Sequence, residues 1–154
     1  MPAHSLESLL KELGEKIGIP HMEPTHNNNI TLTLKENQSV VLQKHNTLPF
    51  LIITFEIFEI QAGRFRENIL REALKFNGLN QPYGVFAFSK KMQKLYLFEM
   101  LSLNEISGDL VNTVMQALSE KVTVWKEALN RGEIPTLVST SPAHPGGGIF
   151  GIKP

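Results

Sequence analysis

His21, Glu23 and His26 stand close together and carry the imidazole and carboxylate donors that a zinc site uses. They fall in the stretch His21–Asn29, rich in turn formers, with no helix or strand to fix their spacing and no second cluster to complete a shell; a solvated loop is the reading. His45 has no serine or cysteine nucleophile at a recognisable signature around it. Glu56 and Glu59 share one apolar stretch but differ by an odd number of residues, which on a regular strand sends them to opposite faces and prevents an acid–base pair. Glu56 is expected to meet a lysine or arginine, or to sit near an end of its sheet. Gly146–Gly148 lacks the Lys-Ser/Thr, the preceding strand and the following helix of a phosphate loop. Arg64, Arg66 and Arg71 are interleaved with Glu67, Glu72 and Lys75, the pattern of an internally paired helix face and not of a nucleic-acid stripe. No catalytic constellation emerges, and no metal or cofactor is implied; the reading is a protein that is not an enzyme.

The elements around these residues are clearer than the chemistry. Leu6, Leu9, Leu10, Leu13 and Ile17 form one stripe, predicting a helix over Ser5–Ile17 that Gly18 and Pro20 end. Ile30–Lys35 alternates strictly, as a half-buried or edge strand does, and Val40–His45 returns beside it. Phe50–Ile60 is the longest and most apolar strand, hence central in the sheet. A second helix, Arg64–Phe76, has a wide stripe: Ile69, Ala73 and Phe76 with Leu70 and Leu74 beside them. Asn77-Gly78 is expected to stop it through a left-handed glycine. Tyr83–Ser89 and Lys94–Met100 then read as a hairpin, with Val85 and Ala87 facing one way and Phe86 and Phe88 the other. A third helix runs from about Ser107, its N-cap, to Asn130 along Val111, Val114, Leu118, Val122, Trp125 and Leu129, with Trp125 packed in the core. The order α-β-β-β-α-β-β-α is that of an α+β domain on a twisted antiparallel sheet, occupying residues 1–135. Residues 136–154, rich in Ser, Thr, Pro and Gly, read as a flexible tail.

Composition narrows the class of partner. At 154 residues the chain can bury a real core without metals or disulfides, and it has no cysteine with which to make the latter. Fifteen basic residues balance fifteen acidic ones, so no net field draws it to nucleic acid or to an anionic membrane. The start, MPAHSLESLL, is unlike a signal peptide, and Phe50–Ile60 is too short and too interrupted by Glu56 and Glu59 to span a bilayer. A cytoplasmic protein without membrane insertion is the expectation. What remains unexplained is surplus apolar surface: a hairpin apolar on both faces must be covered on both, which anticipates a second copy or a bound partner.

The opening SLESLLKELGEKIGIP, the centre ILREALKFNG followed by GVFAFSKKMQKLYLFEML, and VTVWKEAL late in the third helix resemble the class I type III secretion chaperones, the CesT/SycE-like Tir chaperone family. The resemblance runs from about Leu6 to Pro135, and the end RGEIPTLVSTSPAHPGGGIFGIKP is similar to the Gly/Pro tails of chlamydial members. It implies a dimer in the cytoplasm of a Gram-negative bacterium, binding the N-terminal segment of a secreted effector and keeping it unfolded and secretion-competent. It also admits a heterodimer with a related chaperone and contact with the secretion apparatus ATPase. The alternative on the same scaffold is a regulator that sequesters a transcriptional activator or anti-activator. Carried over by position, effector binding falls on Leu10, Leu13, Ile17, Ile30, Leu32, Leu34 and Leu42. The dimer interface falls on Phe65, Ile69, Ala73, Phe76, Val85 and Phe86. On this placement Leu32→Asp abolishes partner binding and leaves the dimer intact. Two features depart from the family pattern: the neutral net charge, and Gln61-Ala62-Gly63 where Leu-Pro usually stands.

Overall fold

The computed structural model describes residues 6–17, 29–34, 38–79 and 81–136. Its elements are α1 (Leu6–Ile17), β1 (Asn29–Thr33), β2 (Ser39–Lys44), β3 (Phe50–Glu59), α2 (Arg64–Asn77), β4 (Val85–Ser89), β5 (Lys94–Ser102) and α3 (Gly108–Asn130). The strands form one antiparallel sheet in the order β1-β2-β3-β5-β4. β3 is therefore the middle strand, as its unbroken apolar run requires, and β1 and β4 are the edges.

Residues opposite one another across a ladder share a face, so the register assigns every side chain. Ile30, Leu32, Val40, Leu42, Leu51, Ile53, Phe55, Leu97 and Phe86 fall on one face and all are buried. This inner face carries the helices. α3 lies along it on Val111, Val114, Leu118, Val122, Trp125 and Leu129, and α1 packs on α3 and the sheet through Leu9, Leu10 and Leu13. At about 1.5 Å per residue α3 is roughly 35 Å long, enough to cross the sheet. Ser107 caps it, its Oγ accepting the Leu110 N–H at 3.1 Å. The opposite face, with Val41, Ile52, Thr54, Tyr96, Phe98, Met100, Val85 and Ala87, has no helix over it among the described residues.

Three local details depart from the sequence expectations. α2 ends without a left-handed residue: Gly78 stays right-handed at φ −76, and its N–H is shared between the Leu74 and Lys75 carbonyls. Asn77 is the last residue of α2, and its side chain serves β4. Second, β3 carries an irregularity between Glu56 and Phe58, where one extra residue stands opposite β5. It shifts the parity, so that Glu56 opposes Tyr96 and Glu59 opposes Lys94, and the two glutamates share the outer face. Third, the helix entry that lacks Leu-Pro uses Gly63 at φ 146, ψ −177, a conformation closed to a side-chain-bearing residue, and no side chain caps α2 there.

Candidate functional site

The two edges of the sheet are finished differently. At β4, Asn77 reaches across from the end of α2: its Nδ2 donates to the Phe86 carbonyl at 2.9 Å and its Oδ1 accepts the Phe86 N–H at 2.7 Å. One side chain thus takes both backbone groups of Phe86, the second residue of the strand, as a neighbouring strand would. The start of β4 is pinned as well. Gly84, at φ 100, lies so close to the core that a Cβ there would stand 2.9 Å from Leu118 Cδ2. Its N–H donates to Glu99 Oε2 at 2.6 Å, and Lys121 Nζ of α3 donates to the Tyr83 carbonyl at 2.6 Å. Partial burial lowers the Lys121 pKa, and the Glu99 charge offsets part of that shift.

Among the described residues β1 has β2 on one side and no strand on the other. Beside it, between the end of α1, the end of β1 and the middle of α3, runs an open groove of about 550 Å³. Ile17 and Leu34 form its apolar walls with Met115 of α3, and Lys16, Asn112, Gln116 and Glu120 form its polar rim. Lys16 pairs with Asp109 at 2.5 Å, and that hydrogen bond raises its pKa. The groove is held open from below by Gln38, buried beside β2, whose Nε2 donates to Ser119 O at 3.2 Å and Thr123 Oγ1 at 2.6 Å, while the Ser119 hydroxyl donates to its Oε1. These bonds satisfy a buried amide and fix the β1–β2 connection to α3.

A second apolar surface follows α2 and β4. Leu74 is 68% exposed, Val85 42% and Phe65 37%. Between α2 and β4 a cleft of about 250 Å³ opens, lined by Leu70, Ala73, Leu74, Phe86, Ala87 and Phe88. Arg66 stacks on Phe88, its guanidinium carbon 5.2 Å from the ring centre. The surface continues on to the uncovered sheet face through Phe98 and Met100.

Of the seven residues assigned to effector binding, Leu10, Leu13, Ile30, Leu32 and Leu42 sit in the core of the protomer, on the helix-covered face. Ile17 and Leu34 are half-buried and come together in the groove. Leu32→Asp would place a carboxylate in the core and unfold the chain before it reported on any partner. Of the six assigned to the dimer interface, Phe65 and Val85 are exposed, Phe76 is half-buried, and Ile69, Ala73 and Phe86 are buried under α2, with Ala73 and Phe86 at the floor of the α2–β4 cleft. Sequence reading missed Asn77, taken for a helix stop, and Gln38, taken for a turn residue. It also left Leu70 and Leu74 without a role, although the breadth of the α2 stripe exceeds what one packing face needs.

The residues with chemical potential are occupied structurally. His45 Nδ1 accepts the backbone N–H groups of Thr47 and Leu48 at 3.2 and 3.1 Å, closing the β2–β3 turn. Lys94 Nζ pairs with Glu56 at 3.0 Å, a hydrogen bond that raises the lysine pKa, with Glu59 adding to the same field. His21, Glu23 and His26 lie outside the described residues. Among the described residues no group of three or more His, Asp or Glu is placed to hold a metal ion, and no helix is long and apolar enough to cross a membrane.

Among the described residues, then, the sheet has helices on one face only, one edge capped by a side chain and one edge without a neighbouring strand. The chain belongs to the Tir chaperone protein (CesT) family, which it matches over residues 8–126. Solved structures share its fold. A chain of the Yersinia pestis type III secretion chaperone SycH in complex with a stable fragment of YscM2 is 21% identical, with a TM-score of 0.61, covering 78% of this chain and 98% of that one. A chain of the HopA1–SchA chaperone–effector complex is 15% identical, with a TM-score of 0.67, covering 79% and 93%. A chain of the ExoT–SpcS complex from Pseudomonas aeruginosa is 13% identical, with a TM-score of 0.57, covering 77% and 97%. No curated protein sequence matches.

Proposed function

We propose that this protein is a type III secretion chaperone that binds the N-terminal segment of an effector in extended form. The observation that carries the reading is the asymmetry of the sheet edges in a member of the CesT family. Among the described residues β1 is an edge strand with no strand on its outer side, beside an apolar groove, whereas Asn77 takes the Phe86 backbone groups of β4. An extended segment pairing with β1 satisfies backbone groups on both chains, and an apolar side chain from it fills the space between Ile17, Leu34 and Met115. Backbone pairing is blind to sequence, so the groove supplies the selectivity. Chaperone–effector complexes with the same fold support the reading.

The uncovered outer face and the α2–β4 rim serve the dimer. Phe65, Leu74 and Val85 are exposed apolar side chains in one region, and full burial of each stabilises association by about 1.5–3 kcal/mol. Ile69, Ala73, Phe76 and Phe86 support that surface from beneath. Such a chaperone works in the cytoplasm of the secreting cell and uses no cofactor.

The test is a pull-down from the native cells with the protein as bait, followed by limited proteolysis of what is retained. Protection of a stretch near the amino terminus of a secreted protein, lost with Leu34→Asp while the dimer persists, is the expected result. Retention of a transcription factor instead, or undiminished binding by Leu34→Asp, overturns the reading or its placement.

A further inference from the structure

At the end of α2 lies a third apolar groove, of about 270 Å³, which shares only Phe86 with the α2–β4 cleft and only Glu120 with the groove beside β1. Its floor is an aromatic cluster in which Phe76 lies 5.4 Å and Phe86 4.6 Å from Trp125, centre to centre. Val124 of α3 stands at its lip, 57% exposed, with Gln81, Glu120 and Lys121 as the polar rim. The chain itself leads into it. After α3, Ile134 packs against the core and Pro135 and Thr136 line the groove. The next two residues are Leu137 and Val138, the last adjacent pair of branched aliphatics before the run of Ser, Thr, Pro and Gly.

We propose that Leu137 and Val138 occupy this groove, so that the C-terminal segment straps α3 to the end of α2 and to β4. An extended chain rises about 3.3 Å per residue, so both side chains fall within roughly 7 Å of Thr136, which already lines the site. A tethered segment this short also faces the groove at millimolar effective concentration or more, ahead of any free partner that would compete for it. Leu137 and Val138 match the apolar floor chemically. This assignment does not depend on the chaperone reading.

Trp125 is the single tryptophan, and its emission reports the groove directly. Amide hydrogen exchange on the unmodified full chain comes first: Leu137 and Val138 exchange about tenfold or more slowly than an unstructured chain. In the chain ending at Thr136, and in full-length Leu137→Asp/Val138→Asp, acrylamide quenching of Trp125 rises about twofold, and a peptide of residues 137–154 reverses it in the shortened chain. Exchange of Leu137 and Val138 at unstructured rates overturns the proposal, and does so even if either variant fails to fold. Quenching unchanged by removal of the tail overturns it, as does quenching that changes on truncation but not in the double aspartate variant. Quenching that depends on protein concentration assigns the groove to a second copy and overturns it too.

Discussion

The two faces of the sheet are made from similar residues and have opposite fates. On the inner face Ile53, Phe55 and Leu97 lie under α3 and are fully buried. On the outer face Ile52, Phe98 and Met100 occupy the next positions along the same strands, and Met100 is 38% exposed. Composition does not separate the faces; coverage does. The three helices and five strands of the described residues supply enough helix for one face, and the other stays uncovered among those residues. The difference teaches that apolar surplus, read as a whole, was the functional signal, although no single residue carried it.

The sharpest way to break the comparison is to truncate matched aromatics. Phe55→Ala removes a fully buried ring and is expected to lower stability by about 3–5 kcal/mol. Phe98→Ala, one face away, should cost the isolated protomer about 1 kcal/mol and act mainly on association. Chemical denaturation of both variants as monomers checks this. Equal losses would mean that the outer face is already covered within one chain.

Next in size is the rim. Leu74→Asp puts a carboxylate where the α2 surface meets its partner, and a loss of about 2 kcal/mol or more in dimerisation, roughly 30-fold in Kd, is expected. Folding of the protomer is unaffected, because Leu74 is mostly exposed. Light scattering across a dilution series gives the shift; a dimer as tight as the parent places the interface elsewhere.

The edges supply a further contrast. Asn77→Ala leaves the Phe86 N–H and carbonyl without their partners, a cost of about 1–3 kcal/mol. It also opens β4 to strand pairing, so concentration-dependent aggregation should accompany the lower Tm. Asn77→Asp retains an acceptor for the N–H but loses the donor to the carbonyl and should fall between. If Asn77→Ala matches the parent in both respects, the β4 edge is protected by something other than this side chain.

These contrasts mark how far sequence reading reached. Alternation in β1, the apolar run of β3, the N-cap at Ser107 and the order of elements were legible because each depends on neighbours in sequence. The choice of face was not. Leu32 and Leu42 alternate with polar residues whether they face the groove or the core, and only the docking of α1 and α3 decides between them. The Glu56–Glu59 relation failed for a similar reason: one inserted residue in β3 reverses parity and leaves no mark in composition. Gln38 and Asn77 look like turn residues locally, and their roles depend on partners up to 85 positions away, as for Gln38 and Thr123.

The smallest expected effect concerns the pinned start of β4, and its sign is the informative part. Partial burial lowers the folded-state pKa of Lys121 below the ordinary 10.5, against the opposing pull of Glu99. Between the lowered value and 10.5 the unfolded chain binds more protons than the folded one, so stability rises with pH across that window. Below it, the desolvation cost of the charged lysine is fully present. Lys121→Met removes that titration and also deletes the hydrogen bond to the Tyr83 carbonyl, which a neutral amine still donates, though more weakly than the ammonium. Comparison of thermal melts from about pH 8 to 10.5 should therefore show the parent gaining on Lys121→Met as pH rises. A parent that loses ground over that range would mean that the Glu99 attraction outweighs burial, and that β4 is held to α3 by an ion pair in place of a neutral hydrogen bond.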